Sequence, residues 1–279
     1  MSKTMSRGGK GGRWAFVSAG STAILVIYTG FIALLLGANV VYLAGDMADT
    51  GASYFADIFR SADIRHAAWL TAWTSVVSSA LAILFAVPCA YALSRVRIPG
   101  KAVFDMLVDT PIILPKIVVG VTLLVFFQTA LGRGIQGMGL QFVFAPSGIV
   151  LAQFLCVSPY AIRTVKSALD GVDTRLEDVS RTLGWSPGQV FWRVTLPMIR
   201  NGIVAGAVIA WALAMGLYGP LMVFAGTTRQ MTEVLPTTIY LELSVGQIGT
   251  ALAITMIMVF FAMLALLVFK KLAGGQSLW

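Results

Sequence analysis

Charge is what this sequence has least of. Only 11% of its 279 residues are Asp, Glu, Lys or Arg, against about 25% in ordinary soluble domains. A chain so poor in charge cannot cover itself with a water-facing surface, and soluble globular folds are excluded. Cysteine is nearly absent too. Cys89 and Cys156 both lie in apolar runs with no CxxC spacing, which rules out a disulfide framework and leaves two small apolar core residues. The single histidine, His66, has Asp57 and Asp63 nearby but no ligand-spaced partner, so it reads as a residue at the membrane interface and not as a metal site. No GxxxxGK[ST] loop is present, and Gly8, Gly9, Gly11 and Gly12 lack that spacing. The chain therefore cannot hydrolyse ATP by that route. With no nucleophile triad and no paired carboxylates, the sequence offers no catalytic residue, no metal and no cofactor, and reads as a non-enzyme.

What it has is apolar length. Hydrophobic residues make up 58% of the chain and the mean hydropathy is +0.85. Windows 14–45, 66–94, 134–162, 201–228 and 243–269 contain no charged residue, and 110–132 contains only Lys116. Each exceeds the roughly 20 residues that cross a bilayer. The pattern predicts an all-α polytopic membrane protein with about six transmembrane helices, near 14–42, 66–94, 104–131, 145–168, 200–226 and 246–270. A closed barrel would instead alternate over ten-residue segments. The first span is too long for a signal-peptide core and is kept as a mature helix.

Basic residues set the orientation. With the N-terminus inside, 15 of the 20 Lys and Arg fall in cytoplasmic segments, 4 fall outside, and Lys116 sits within a span. Both termini are therefore expected in the cytoplasm. The net charge of +8 becomes a topology signal with attraction to anionic membrane lipid, and nucleic acid is not needed to explain it. The chain divides into a cytoplasmic tail 1–13, a first helix with external loop 14–65, a five-helix core 66–271 and a short tail 272–279. No C-terminal regulatory domain is expected.

One connection is longer than topology requires, the cytoplasmic loop 169–199, and such loops are usually functional. It parses as two short helices. Thr174 is the expected N-cap of the first, with Glu177 completing a capping box. Leu176, Val179 and Leu183 share a face, and Gly184 supplies a left-handed stop. Ser186 caps the second, with Pro187 at its first position and Gln189 closing another box. Val190, Phe191 and Val194 form its apolar face, and Pro197 marks the start of the fifth span. Such a knob suits either the membrane surface or a groove on a partner.

The stretch Leu176-Glu177-Asp178-Val179-Ser180-Arg181-Thr182-Leu183-Gly184, followed by Leu196-Pro197, resembles the EAA loop of binding-protein-dependent ABC importer permeases. Asp178, Val179 and Ser180 stand where that family has Glu-Ala-Ala. The run Asp109 to Gly120, the segment Gly219–Gly226 and the run Leu235 to Tyr240 are similar to the molybdate, tungstate and sulfate branch. The resemblance implies a type I permease fold in a bacterial inner membrane, spanning it many times. It also implies ATP-binding subunits docked on Glu177, Asp178, Arg181, Gly184, Leu196 and Pro197. An extracytoplasmic solute-binding protein and a second permease copy would complete the complex, and the solute would be a tetrahedral oxyanion. Related permeases carry polyamines or iron on the same scaffold, and an ion-coupled secondary transporter is the rival class, with Asp105 and Asp109 as its only candidate carboxylates.

Within the membrane, Pro111 and Pro115 remove two backbone donors and predict a kinked third span. Gly216, Gly219 and Pro220 weaken the fifth. These residues, with Lys116, are the candidate lining of the translocation path, because broken helices are tolerated where they line a cavity. Lys116 in a span costs at least ~2.5–3.5 kcal/mol. It therefore faces the path, snorkels outward or pairs with a neighbouring carboxylate. Lysine departs from the family pattern, in which proline is usual there.

Overall fold

A computed structural model describes residues 10–50, 58 and 60–272. The glycine-rich tail before Lys10, Asp57 and the tail beyond Leu272 lie outside the described residues. Every regular element among them is helical, as a chain short of charge and embedded in hydrocarbon requires. Two compact units emerge, 1–56 and 57–279.

The first unit holds α1, Lys10–Thr50, which contains the span expected at 14–42. No proline interrupts it, so no internal backbone donor is lost over its length. Its apolar stretch, Gly20–Gly45, has a mean hydropathy of 2.3.

The second unit is organised by α2 (Ala62–Arg95), α6 (Pro146–Asp170) and α10 (Arg200–Met215), which pack against one another. Between Leu70 and Leu93, the buried face of α2 is made of small residues: Thr71, Thr74, Ser75, Ser78 and Ser79, then Ala82, Ala86 and Ala90. Small side chains let helix backbones approach closely where lipid gives no hydrophobic drive to association. The hydroxyls do not waste donors, since Thr71, Thr74 and Ser79 each donate to the carbonyl four residues back at 2.6 Å. Gln153 of α6 ties the three helices together. It accepts from Ser78 Oγ at 3.2 Å and donates to the Ala214 carbonyl at 3.1 Å.

Two of the expected spans are broken outright. The third becomes α3 (Lys101–Ile113) and α4 (Lys116–Gln128), meeting at 111°. The sequence predicts a kink there; the structure has a full corner, because Leu114 and Pro115 are extended and Pro115 caps the new helix. The short helix α5, Ala130–Gly137, follows. The fifth span, expected as one helix over 200–226, is corrected to α10 and α11 (Gly219–Phe224). Gly216 ends the former, and Pro220 sits in the first turn of the latter, where its missing N–H costs nothing. The segment before Arg200 also meets α10 at 66°.

Between α6 and α10 run α7 (Thr174–Thr182), α8 (Pro187–Val190), a π-helical turn Phe191–Thr195 and α9 (Leu196–Met198). The chain closes with α12 (Leu235–Ser244) and α13 (Ile248–Leu272). Three described helices are long and apolar enough to cross a membrane, or five if each bent pair is one span. The span expected at 246–270 falls on α13, a helix of 25 residues.

Candidate functional site: a projecting loop and two crossed helix breaks

The loop between α6 and α10 has an outer and an inner face. Outside, Leu183 is 74% exposed and Trp192 67% exposed, and Leu176, Val179, Asp178 and Arg181 are exposed as well. Inside, Val190 is buried and Phe191 packs edge-on to Tyr91 of α2 at 5.1 Å. The second capping box forms as the spacing predicts: Gln189 N–H donates to Ser186 Oγ at 3.3 Å and Ser186 N–H to Gln189 Oε1 at 2.9 Å. Gly184 adopts φ +88°, a value side chains resist, and turns the chain from α7 toward α8.

The first cap is corrected. Asp173, not Thr174, is the N-cap, accepting from Arg175 N–H at 2.9 Å. The physical reason is that Glu177 is engaged elsewhere and cannot close a box. It is buried, and its Oε1 accepts from Arg95 Nε at 3.1 Å and from Thr195 Oγ1 at 3.2 Å. Of the six loop residues read from the sequence, Asp178, Arg181, Gly184 and Pro197 are therefore exposed, Leu196 is half-buried, and Glu177 points inward.

The two helix breaks meet. A Cβ at Gly120 of α4 would lie 2.7 Å from Pro220 Cα, and one at Gly219 would lie 3.5 Å from Ile117 N. The structure thus brings Pro115, Lys116, Gly219 and Pro220 to one crossing, with Gly216 just before it at the end of α10. Lys116 opens α4. Its Nζ donates to the Pro111 carbonyl at 2.7 Å and stands 5.1 Å from the centroid of the Tyr160 ring. Among the described residues its partners are thus a carbonyl freed by the broken helix and an aromatic face, not a carboxylate.

Three groupings escaped sequence reading. Arg163 of α6 forks onto α3, donating to both Asp109 oxygens at 2.6 Å and to Asp105 Oδ1 at 2.8 Å. The four-residue spacing of the two aspartates placed them on one helix face, but nothing local pointed to Arg163, which reads as a topology charge. Arg95 was masked in the same way. In the segment between α11 and α12, Glu233 is buried, and neither carboxylate oxygen has a hydrogen-bond partner among the described residues. Burial pushes its carboxyl above the ordinary range, with the nearby Thr238 hydroxyl and then Arg229 opposing. His66 Nδ1 is likewise buried with no hydrogen-bond partner among the described residues. Among the described residues no group of three His, Cys, Asp or Glu is placed to hold a metal ion.

Two crossed broken helices and an outward-facing helical loop define a multi-pass helical membrane protein of the permease type. The fold matches a subunit of a bacterial alginate ABC transporter solved with its alginate-bound periplasmic protein, with a TM-score of 0.72 at 19% identity, covering 95% of this chain and 96% of that one. In sequence, residues 78–274 match the family of binding-protein-dependent transport system inner membrane components. The molybdenum transport system permease protein ModB of Escherichia coli is 35% identical over 74% of this chain and 93% of its own. The sulfate transport system permease protein CysW of Synechococcus elongatus is 30% identical over 83% and 80% respectively. The chain belongs to the binding-protein-dependent transport system inner membrane component family, and is a multi-pass inner-membrane transport protein.

Proposed function

We propose that this chain is the permease subunit of an ABC importer for a tetrahedral oxyanion such as molybdate, tungstate or sulfate. One observation carries the reading: a helical loop with an outward apolar face, in a chain whose relatives are named for molybdenum and sulfate transport. In this reading the N- and C-termini and the loop are cytoplasmic and six segments cross the membrane. Separate ATP-binding subunits seat on Asp178, Arg181, Gly184, Leu196 and Pro197, with Leu183 and Trp192 filling their groove. A solute-binding protein delivers the anion from outside, and a second copy of the chain encloses the path. Closure of the ATPase pair moves the loops and shifts the spans between inward- and outward-facing states, by differential binding alone.

The crossing of α4 and α11 supports a path lined there by Pro111, Pro115, Lys116, Gly216, Gly219 and Pro220. Lys116 holds one carbonyl with a three-donor ammonium, so donors are left for a passing anion. Asp105 and Asp109 are occupied by Arg163, which argues against their serving as free ion-coupling carboxylates.

Affinity purification of the tagged chain from its own operon tests the docking. An ATP-binding subunit should co-purify, and substitution of Gly184 by Val with Asp178 by Lys should release it. Retention of that subunit in the double variant, or its absence from the wild-type complex, would contradict the reading.

A further inference from the structure

The loop is held to the helices through one guanidinium. Arg95 is the last residue of α2 and is only 11% exposed at its side chain. Its Nη2 donates to the carbonyls of Leu169 at 2.9 Å and Val172 at 2.8 Å, and its Nε to Glu177 Oε1 at 3.1 Å. Leu169 lies in the last turn of α6, where carbonyls lack intrahelical donors and a cation suits the helix dipole, and Val172 lies two residues past the helix end at Asp170. Glu177, 4% exposed at its side chain, then takes a second bond from Thr195 at 3.2 Å. Thr195 faces inward because it closes the π-helical turn Phe191–Thr195, whose extra residue rotates the following chain. One arginine thus joins four pieces: the ends of α2 and α6, the helix α7 and the π turn.

Two further contacts bracket the joint. Ser94 Oγ and Lys166 Nζ both donate to Asp170, at 2.5 Å and 2.8 Å, and Tyr91 packs on Phe191. The fork spans Gly171, the place where a loop would otherwise hinge. Charge-assisted bonds screened from water are the strong ones, and a lysine, as a point donor, cannot reproduce the planar fork.

We propose that Arg95 is a positioning residue: its fork makes the projecting loop and the ends of α2 and α6 a single rigid body, so that force on the outer face of the loop reaches the helices without loss. This rests on the proposed function only for where the force comes from.

The test uses spin labels at two exposed positions, R97C beyond the end of α2 and T182C on α7, after Cys89→Ala and Cys156→Ala. With labelled chain diluted into an excess of unlabelled chain, so that only the distance within one copy is read, the wild-type distribution should be single and narrow, and the same with and without trapped nucleotide on the co-purified ATPase. Arg95→Lys, which keeps the charge, should broaden it at least about twofold. It should also lower solute-stimulated ATP hydrolysis about tenfold, within the usual range of coupling energies, while the amount of ATPase co-purified is unchanged. A distribution that stays narrow in Arg95→Lys, or a wild-type distance that shifts on nucleotide trapping, would overturn the proposal. If Arg95→Lys does not accumulate, Arg95→Met with Glu177→Leu removes both charges and leaves neither buried alone; the same broadening is expected, and a narrow distribution overturns the idea. If no ATPase binds the wild type, the functional reading fails, and the label distributions of the free chain still decide this one.

Discussion

Glu233 is buried in a segment between helices, with neither oxygen hydrogen-bonded among the described residues, and it sits there as a stability cost that depends on pH. Its folded pKa lies above the ordinary value because burial disfavours the charged form. The folded state therefore binds the proton more tightly than the unfolded state, and stability falls as pH rises from the ordinary carboxylate range through the raised one. Glu233→Gln should remove that dependence. It should raise the melting temperature near neutral pH by about 2–4 °C, the effect of ~1 kcal/mol in a chain of this size, with the gap closing as the buffer is acidified. A gap that widens on acidification would show the carboxylate to be stabilising when charged. Lys116 is the second residue whose environment makes a prediction. Lys116→Ala should lower oxyanion uptake about tenfold, equivalent to ~1.4 kcal/mol, with normal insertion, because the ammonium at the crossing is lost. Unchanged uptake would remove it from the path. For Arg95, truncation to Ala leaves Glu177 buried without a counter-charge and with the Thr195 hydroxyl as its remaining donor, a change of the kind that costs ~3–5 kcal/mol, read as lost thermal stability in detergent.

At the scale of elements, the two breaks are the feature that sets this fold apart from a simple bundle. Proline spacing in the third span and the Gly-Pro pair in the fifth showed where helices would fail. They did not show the angle, because a corner of 111° is decided by what the next helix packs against. That partner is the other break, a hundred residues away, with Gly120 against Pro220. Gly120→Val should force the crossing apart at about 1–3 kcal/mol and reduce transport more than expression; full transport at normal expression would mean the crossing tolerates separation. The loop shows the same division. The Ser186–Gln189 box and the Gly184 turn were legible because caps are satisfied within three or four residues. The first cap was misplaced because Glu177 answers to Arg95, 82 positions earlier, and not to its own helix. Arg95 and Arg163 were read as topology charges, since a basic residue near a span end looks alike whether it faces lipid headgroups or two carbonyls and a carboxylate.

For the whole molecule, composition was enough to establish a helical membrane protein, since hydrocarbon leaves the backbone few alternatives. The loop motif was enough to point to a family that residues 78–274 then matched. What composition could not supply is the division of labour inside the second unit. There, α2, α6 and α10 form a packed block with a small-residue seam, while α3 has no buried residue and is held to α6 through the Arg163 fork. The central claim, that the chain carries an oxyanion across the membrane on ATP energy delivered through its loop, is tested most directly by uptake into proteoliposomes. The chain should be reconstituted with its ATP-binding subunit and binding protein, and radiolabelled molybdate, tungstate and sulfate supplied in turn. Uptake of at least one of them that requires ATP and is lost on disruption of Gly184 and Asp178 is the predicted result. Uptake driven by an ion gradient without ATP, or ATP-dependent uptake indifferent to the loop, would contradict it.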